Sequence, residues 1–145
     1  MIVHELSESA CREILGRSHV ARVACSRQGQ PYIVPISCYL EGEHLYSFAT
    51  LGQKIIWMRE NPRVCVEVDD IDNRFEWTTV LVFGRYEELR GEQYERAREK
   101  ARTLFEQRDE WWLPAAAKVN PPEHHVPIVY RIAIERITGR SARRA

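Results

Sequence analysis

The sequence has no stretch approaching the ~18–20 consecutive apolar residues of a membrane-spanning helix, and no basic, apolar leader at Met1-Ile2-Val3-His4-Glu5-Leu6. Neither a membrane span nor a secretory signal is expected. No charge predominates, because 21 Lys and Arg balance 21 Asp and Glu. A grip on a polyanion needs a surplus or a patch of cations, so a nucleic-acid partner is disfavoured. Glycine and proline are sparse at 7 each, beside 44% hydrophobic and 29% charged residues, which excludes collagen-like and disordered chains. The four cysteines, Cys11, Cys25, Cys38 and Cys65, lack any CxxC or Cys-plus-His spacing. That argues against a zinc site or redox dithiol and for buried free thiols, as suits a reducing cytoplasm. There is also no Gly-x-Ser-x-Gly elbow and no Ser, His and Asp or Cys and His set, so hydrolysis by a protein nucleophile has no support.

What is present is enough for one domain over residues 1–145, without repeat or linker. A chain of this length buries roughly 68–70% of its extended surface on folding, so it needs no disulfide or structural metal. Leu6, Ala10, Cys11, Ile14 and Leu15 lie on one face of a short helix, with Ser7 to cap its start and Gly16 its end. Val20 to Cys25, Pro31 to Leu40 and His44 to Ala49 read as a three-strand meander. Gln53 to Glu60 reads as a short helix stopped by Asn61-Pro62. Arg63 to Val68 is a fourth strand, Asp69 to Asn73 an acidic loop, and Glu76 to Tyr86 a long fifth strand. Gly91 to Gln107 carries Tyr94, Ala97, Ala101, Leu104 and Phe105 at helical spacing, and Ile128 to Thr138 alternates as a sixth strand. Six strands without βαβ alternation predict a mainly β fold with flanking helices, a mostly antiparallel barrel.

The most informative local pattern runs from Ser47 to Ile56. It combines the hydroxyls of Ser47 and Thr50, a glycine at 52, the start of a helix with its free N–H groups, and the charge of Lys54. Such a set suits a phosphate monoester, although the GxxxxGK[ST] spacing of a P-loop is absent. The plainer reading is a helix cap with a solvated lysine. Glu67, Asp69, Asp70, Asp72 and Glu76 lack the EF-hand pattern and read as a solvated hairpin turn. His124-His125 has no third ligand at a usual spacing, and Arg136, Arg140, Arg143 and Arg144 read as a frayed basic tail.

Several short segments, in order, carry a likeness that spans nearly the whole chain: Pro31-Tyr32-Ile33-Val34-Pro35-Ile36; Leu45-Tyr46-Ser47-Phe48-Ala49-Thr50 leading to Gly52-Gln53-Lys54; Arg59-Glu60-Asn61-Pro62-Arg63-Val64; Trp77 to Arg85; and Tyr130-Arg131-Ile132 with Ile137-Thr138-Gly139-Arg140. Together they resemble the FMN-binding split-barrel family that includes pyridoxamine 5′-phosphate oxidase. The resemblance implies a six-stranded antiparallel Greek-key split barrel that pairs as a homodimer, with two FMN sites at the subunit interface. It implies that Lys54 binds the flavin phosphate, that the strand Ile33 to Ser37, with Val34, Pro35, Ile36 and Ser37 as site residues, offers a backbone rim to the ring, and that Thr79 donates to the phosphate or ribityl chain. A flavin pocket needs such polar rims between apolar walls. Trp77, Trp111 and Trp112 are candidates to cover the ring, with aromatic packing as the alternative for each; Trp57 is assigned to packing.

The function implied is an FMN-dependent oxidoreductase exchanging hydride with a small molecule; no catalytic acid or base is assigned. The arginine-rich substrate pattern of true pyridoxamine phosphate oxidases is not recognisable at the C-terminus. Where the nitroimidazole-reductase branch has histidine, seven residues before the lysine, this chain has Ser47. A non-catalytic flavin-binding or sensing module is one alternative. A haem- or F420-binding member of the same fold is another, with His19, His44, His124 or His125 as axial candidates for haem.

Overall fold

The structure, a computed structural model, describes residues 1–107 and 127–145. Its strands are β1 (Ile2–Glu5), β2 (Val20–Arg27), β3 (Gln30–Ser37), β4 (Tyr39–Glu41), β5 (His44–Ala49), β6 (Arg63–Asn73), β7 (Glu76–Glu88) and β8 (Ile128–Arg143). The helices are α1 (Glu8–Arg17), α2 (Gln53–Glu60) and α3 (Glu95–Gln107). Every ladder is antiparallel, and the strands follow the order β3-β2-β6-β7-β8-β5-β4, with β1 added to β8. β3 lies against β5 without a ladder between them, so the curled sheet stays open along that seam. This is the mainly antiparallel, split architecture expected, with eight strands in place of the six predicted, because the Pro31 to Leu40 run divides in two and Ile2–Glu5 pairs with the end of β8.

Period-two alternation fills the interior. Val23, Val66, Val68, Val80, Val82 and Ile132 point inward from successive strands, and Ile55 and Met58 of α2 join them, all fully buried. Each such aliphatic side chain contributes about 1.5–3 kcal/mol. A second cluster, Tyr39, Tyr46, Leu89, Ala101 and Phe105, forms beneath α3 on the other face of β5. Cys11, Cys25 and Cys38 are buried, Cys65 is half-buried, and all four are free thiols; burial pushes Cys38 up to about 12.

Four expectations are corrected. The predicted meander is two hairpins, β2–β3 and β4–β5, at opposite ends of the strand order. The run from Pro31 to Leu40 breaks at Cys38, whose N–H is held by the His19 carbonyl at 3.0 Å, and Tyr39 then faces the second cluster. The acidic loop is strand: β6 continues to Asn73, with Arg22 bonded to Asp69 at 3.0 Å, and only Arg74 and Phe75 turn the hairpin. Gly91, at φ +85, opens a 3-10 turn over Glu92–Tyr94 before α3 begins. The basic tail is not frayed, because β8 runs to Arg143 between β7 and β1 and carries Arg136, Arg140 and Arg143 in its ladders; only Arg144 lies beyond.

Two glycines are required by geometry. Gly29 takes φ +81 in the two-residue turn between β2 and β3. Gly84 faces the Ala133 carbonyl so closely that a Cβ would overlap it. That contact sits at a β-bulge where β8 gains Glu135 between the Phe83–Arg136 and Gly84–Ile134 pairs.

Candidate functional site

β5 ends at Ala49, and Thr50-Leu51-Gly52 leads into α2. Gly52 is an extended N-cap without a side chain to bond the first-turn N–H groups, so those donors remain open. Lys54 follows in the first turn. It is half-buried, and among the described residues it has no carboxylate or hydrogen-bond partner. Burial accordingly lowers its pKa below the ordinary lysine value. An uncompensated, partly desolvated ammonium next to free N–H donors is a local demand for an anion. Thr50 is exposed beside it.

The far end of α2 is fixed by Arg59, which pairs with Glu88 of β7, and its flank by Trp57, whose ring meets Tyr32 of β3 at 5.4 Å between centroids. Trp57 is thus packing, as read from the sequence. The same contact sets α2 beside β3, an end strand that pairs only with β2 among the described residues.

The β3 rim is narrower than expected. Cys38 bonds to His19, and the register Val20–Ser37 continues from that pair, so the even-numbered residues of β3 exchange bonds with β2. Val34 and Ile36 therefore have committed backbone groups, and their side chains face inward. Pro35 and Ser37 turn their backbone away from β2, as does Ile33, the first residue of the expected rim. Pro35 does not interrupt the ladder, since it pairs in register with Arg22. The free groups come from the edge position. Pro31 and Pro35 share one parity, which was the available signal that Ile33 lies between them with the outward N–H.

Ser47 faces the interior. Its Oγ and the Tyr130 hydroxyl, on register partners of β5 and β8, are buried without a well-formed hydrogen bond among the described residues. Burial raises the Tyr130 pKa strongly, and the nearby Ser47 hydroxyl offsets only part of that rise.

Trp77 and Thr79 stand elsewhere, on the outer face of β7. In the strand order β7 is three strands from β3, roughly 14 Å at ~4.8 Å per strand. Thr79 Oγ1 donates to Glu67 at 3.2 Å, and Glu67 and Asp69 flank Arg22 at 3.5 and 3.0 Å. Burial, with Asp69 next to it, raises the Glu67 pKa. Thr50 and Lys54 thus stand together at the start of α2, Pro35 and Ser37 lie on β3, the strand that α2 meets through Trp57 and Tyr32, and Trp77 and Thr79 lie apart on β7. His19 packs on Tyr39, with centroids 6.2 Å apart, and His44 lies 3.7 Å from Glu87. No group of three metal-ligating side chains occurs among the described residues. Trp111, Trp112, His124 and His125 lie outside the described residues.

No helix among the described residues is long and apolar enough to cross a membrane. The chain is 37% identical over 148 residues to an uncharacterized protein, RA0666, of Rhizobium meliloti (strain 1021), covering 98% of this chain and 97% of that one. The crystal structure of a FAD-binding protein (mll6688) from Mesorhizobium loti superposes with a TM-score of 0.81 at 37% identity, covering 98% of this chain and 99% of that chain. A FAD and haem binding protein from Mycobacterium smegmatis shares the fold, with a TM-score of 0.70 at 16% identity over 95% of this chain and 73% of its own. The sequence model described as pyridoxamine 5′-phosphate oxidase matches residues 7–141, nearly the whole length. The chain belongs to this flavin-binding, pyridoxamine 5′-phosphate oxidase-like family.

Proposed function

We propose that the protein binds a flavin nucleotide between two copies of itself and acts as a flavin-dependent oxidoreductase on a small molecule in the cytoplasm. The observation that carries this reading is Lys54, a half-buried cation without a partner among the described residues, beside open N–H donors at the start of α2, the helix whose Trp57 meets Tyr32 of β3. Lys54 and the α2 amides hold the phosphate. Pro35, Ser37 and Ile33 present backbone polar groups to the ring edge. FMN satisfies these contacts, and so does the FMN half of FAD, the cofactor named for the Mesorhizobium loti neighbour. The flavin supplies hydride exchange with the substrate; the chain supplies orientation and electrostatics.

Pairing is supported by the outer sheet face. Val20, Ile33 and Ile71 are 70%, 60% and 64% exposed there, around the Arg22, Glu67 and Asp69 charges, and exposed large apolar residues rimmed by polar ones suit an interaction surface. A second copy on that face brings its own Trp77 and Thr79 toward the first copy's Lys54 site, which one chain alone does not achieve. Four free thiols fit a reducing compartment.

The test is the absorption spectrum and sedimentation of the purified protein, followed by FMN and FAD titration of Lys54→Ala. Flavin bands, a dimer, and an affinity loss of about tenfold or more support the reading. Unchanged flavin affinity in Lys54→Ala overturns the site. A Soret band, or F420 bound in preference to flavin, overturns the cofactor. Bound flavin that no nicotinamide donor or substrate reduces identifies a binding module, not an enzyme.

A further inference from the structure

The β-bulge in β8 shapes a second polar concavity, of about 480 Å³, on the outer face of the sheet. Its floor is Cys65 and Phe83; Arg63, Arg136, Glu135 and Ser26 stand around it. It lies past the C-terminal end of α2, whereas Lys54 is at the N-terminal end of that helix, roughly 12 Å of helix away. A regular strand would send one of Glu135 and Arg136 into the core. The bulge sends both outward, and Gly84 makes the bulge possible by admitting the Ala133 carbonyl.

The charges here are unbalanced. Arg63 and Arg85 are direct register partners on β6 and β7, and like charges placed opposite each other repel. Arg136 lies over the Phe83 ring, 4.2 Å from its centroid, which fixes the guanidinium plane and leaves its N–H edge unengaged. Among the described residues no carboxylate pairs with any of the three. Ser26 Oγ accepts from Asn61 Nδ2 at 3.1 Å, so its own proton remains available to donate. Glu135, also unpaired among the described residues, supplies one acceptor at the rim. The groove under α3 differs in this respect, because its Arg131 and Lys100 are already bonded to Glu87 and Glu41.

We propose that the concavity between Arg63, Arg136 and the β8 bulge is a second ligand site, for a phosphorylated small molecule that also carries a hydroxyl or ammonium group. The two guanidinium groups and the Ser26 hydroxyl take the phosphate, relieving the opposition of Arg63 and Arg85. Glu135 accepts from the ligand's donor group, which disfavours a bare polyanion. The volume fits a molecule of about sugar-phosphate to mononucleotide size. The inference uses no residue of the Lys54 site, but the concavity opens on the sheet face where pairing is proposed, next to Ile33, so it requires that the second copy leave this end of the face open.

The test is titration of the isotope-labelled full chain, as purified, with ribose 5-phosphate, followed by amide chemical shifts. Saturable shifts at Cys65, Phe83 and Glu135 are expected at millimolar concentrations. They should weaken about tenfold or more in Arg63→Gln with Arg136→Gln, persist in Lys54→Ala, and be absent with ribose. Retention of the β2 and β7 amide positions in the double variant checks that it is folded. No saturable shift at the bulge, equal shifts with ribose, an unchanged response in the double variant, or shifts confined to Gln53 and Lys54 would each overturn the proposal.

Discussion

Arg59 grips Glu88 through two parallel hydrogen bonds, Nε to Oε1 at 2.8 Å and Nη2 to Oε2 at 3.1 Å. The pair ties the last turn of α2 to the end of β7, and so holds the helix whose other end carries Lys54. Tyr86 adds a third bond, its hydroxyl donating to Glu88 Oε1 at 2.6 Å.

Burial pushes the Glu88 pKa up, but the hydrogen bonds from Arg59 and Tyr86, with the charges of Arg59 and Arg90, outweigh it and leave the net value below the ordinary 4.5. A carboxylate depressed on folding stabilises the fold above its unfolded pKa, and that contribution is lost as the pH falls through the folded value. Glu88→Gln should therefore cost about 1 kcal/mol near neutrality, a figure kept small because Arg59 is partly exposed, and should flatten acid unfolding. Urea titrations above and below pH 4.5 measure both. A variant with the parent's acid slope would remove Glu88 from this account.

Lys54 is expected to oppose folding while serving binding. Its lowered pKa means that the unfolded chain holds the proton more tightly, so stability rises with pH on approach to the ordinary 10.5. In flavin-free protein, Lys54→Met should raise Tm by about 2–4 °C, near 1 kcal/mol, while flavin affinity falls. Calorimetry of the stripped protein decides, and a lower Tm contradicts the reading.

The facing hydroxyls of Ser47 and Tyr130 predict an unusual tolerance. Removing a buried hydroxyl that lacks a good partner is neutral or stabilising. Tyr130→Phe and Ser47→Ala should each change stability by less than about 1 kcal/mol, whereas a loss above about 2 kcal/mol in denaturant titration would reveal a partner for that hydroxyl.

Gly84→Ala forces a methyl group into the Ala133 carbonyl, a backbone atom that cannot turn aside. A loss of about 1–3 kcal/mol is expected, with changed amide shifts along Ala133 to Arg136. Unchanged stability would mean that the bulge relaxes freely.

Much of this was legible in the residues. Strong period-two runs such as Trp77 to Tyr86 marked their strands, Ser7 caps α1 with its side chain accepting from the Ala10 N–H at 3.1 Å, and Asn61-Pro62 ends α2. Strand order was not legible, because the Pro31 to Leu40 run carries no local sign that Cys38 ends one ladder and Tyr39 begins another. β1 and the end of β8 were missed for a related reason: Ile2 to Glu5 is exposed and is strand only because Arg143 to Arg140 pairs with it. At the site, residue types alone left Lys54 open between a solvated cap lysine and a phosphate ligand, and the family resemblance singled it out. The inward turn of Ser47 and the engagement of Thr79 with Glu67 depend on contacts between strands distant in sequence, which spacing does not encode.

An open barrel seam invites foreign strands, since an unpaired edge is a template for polymerisation. Pro31 and Pro35 delete two of the four N–H groups that β3 would otherwise direct outward from residues 31 to 37. An intruding chain finds carbonyls in sequence but too few donors to zip along. An edge short of donors can thus stay unpaired without becoming a seed for aggregation.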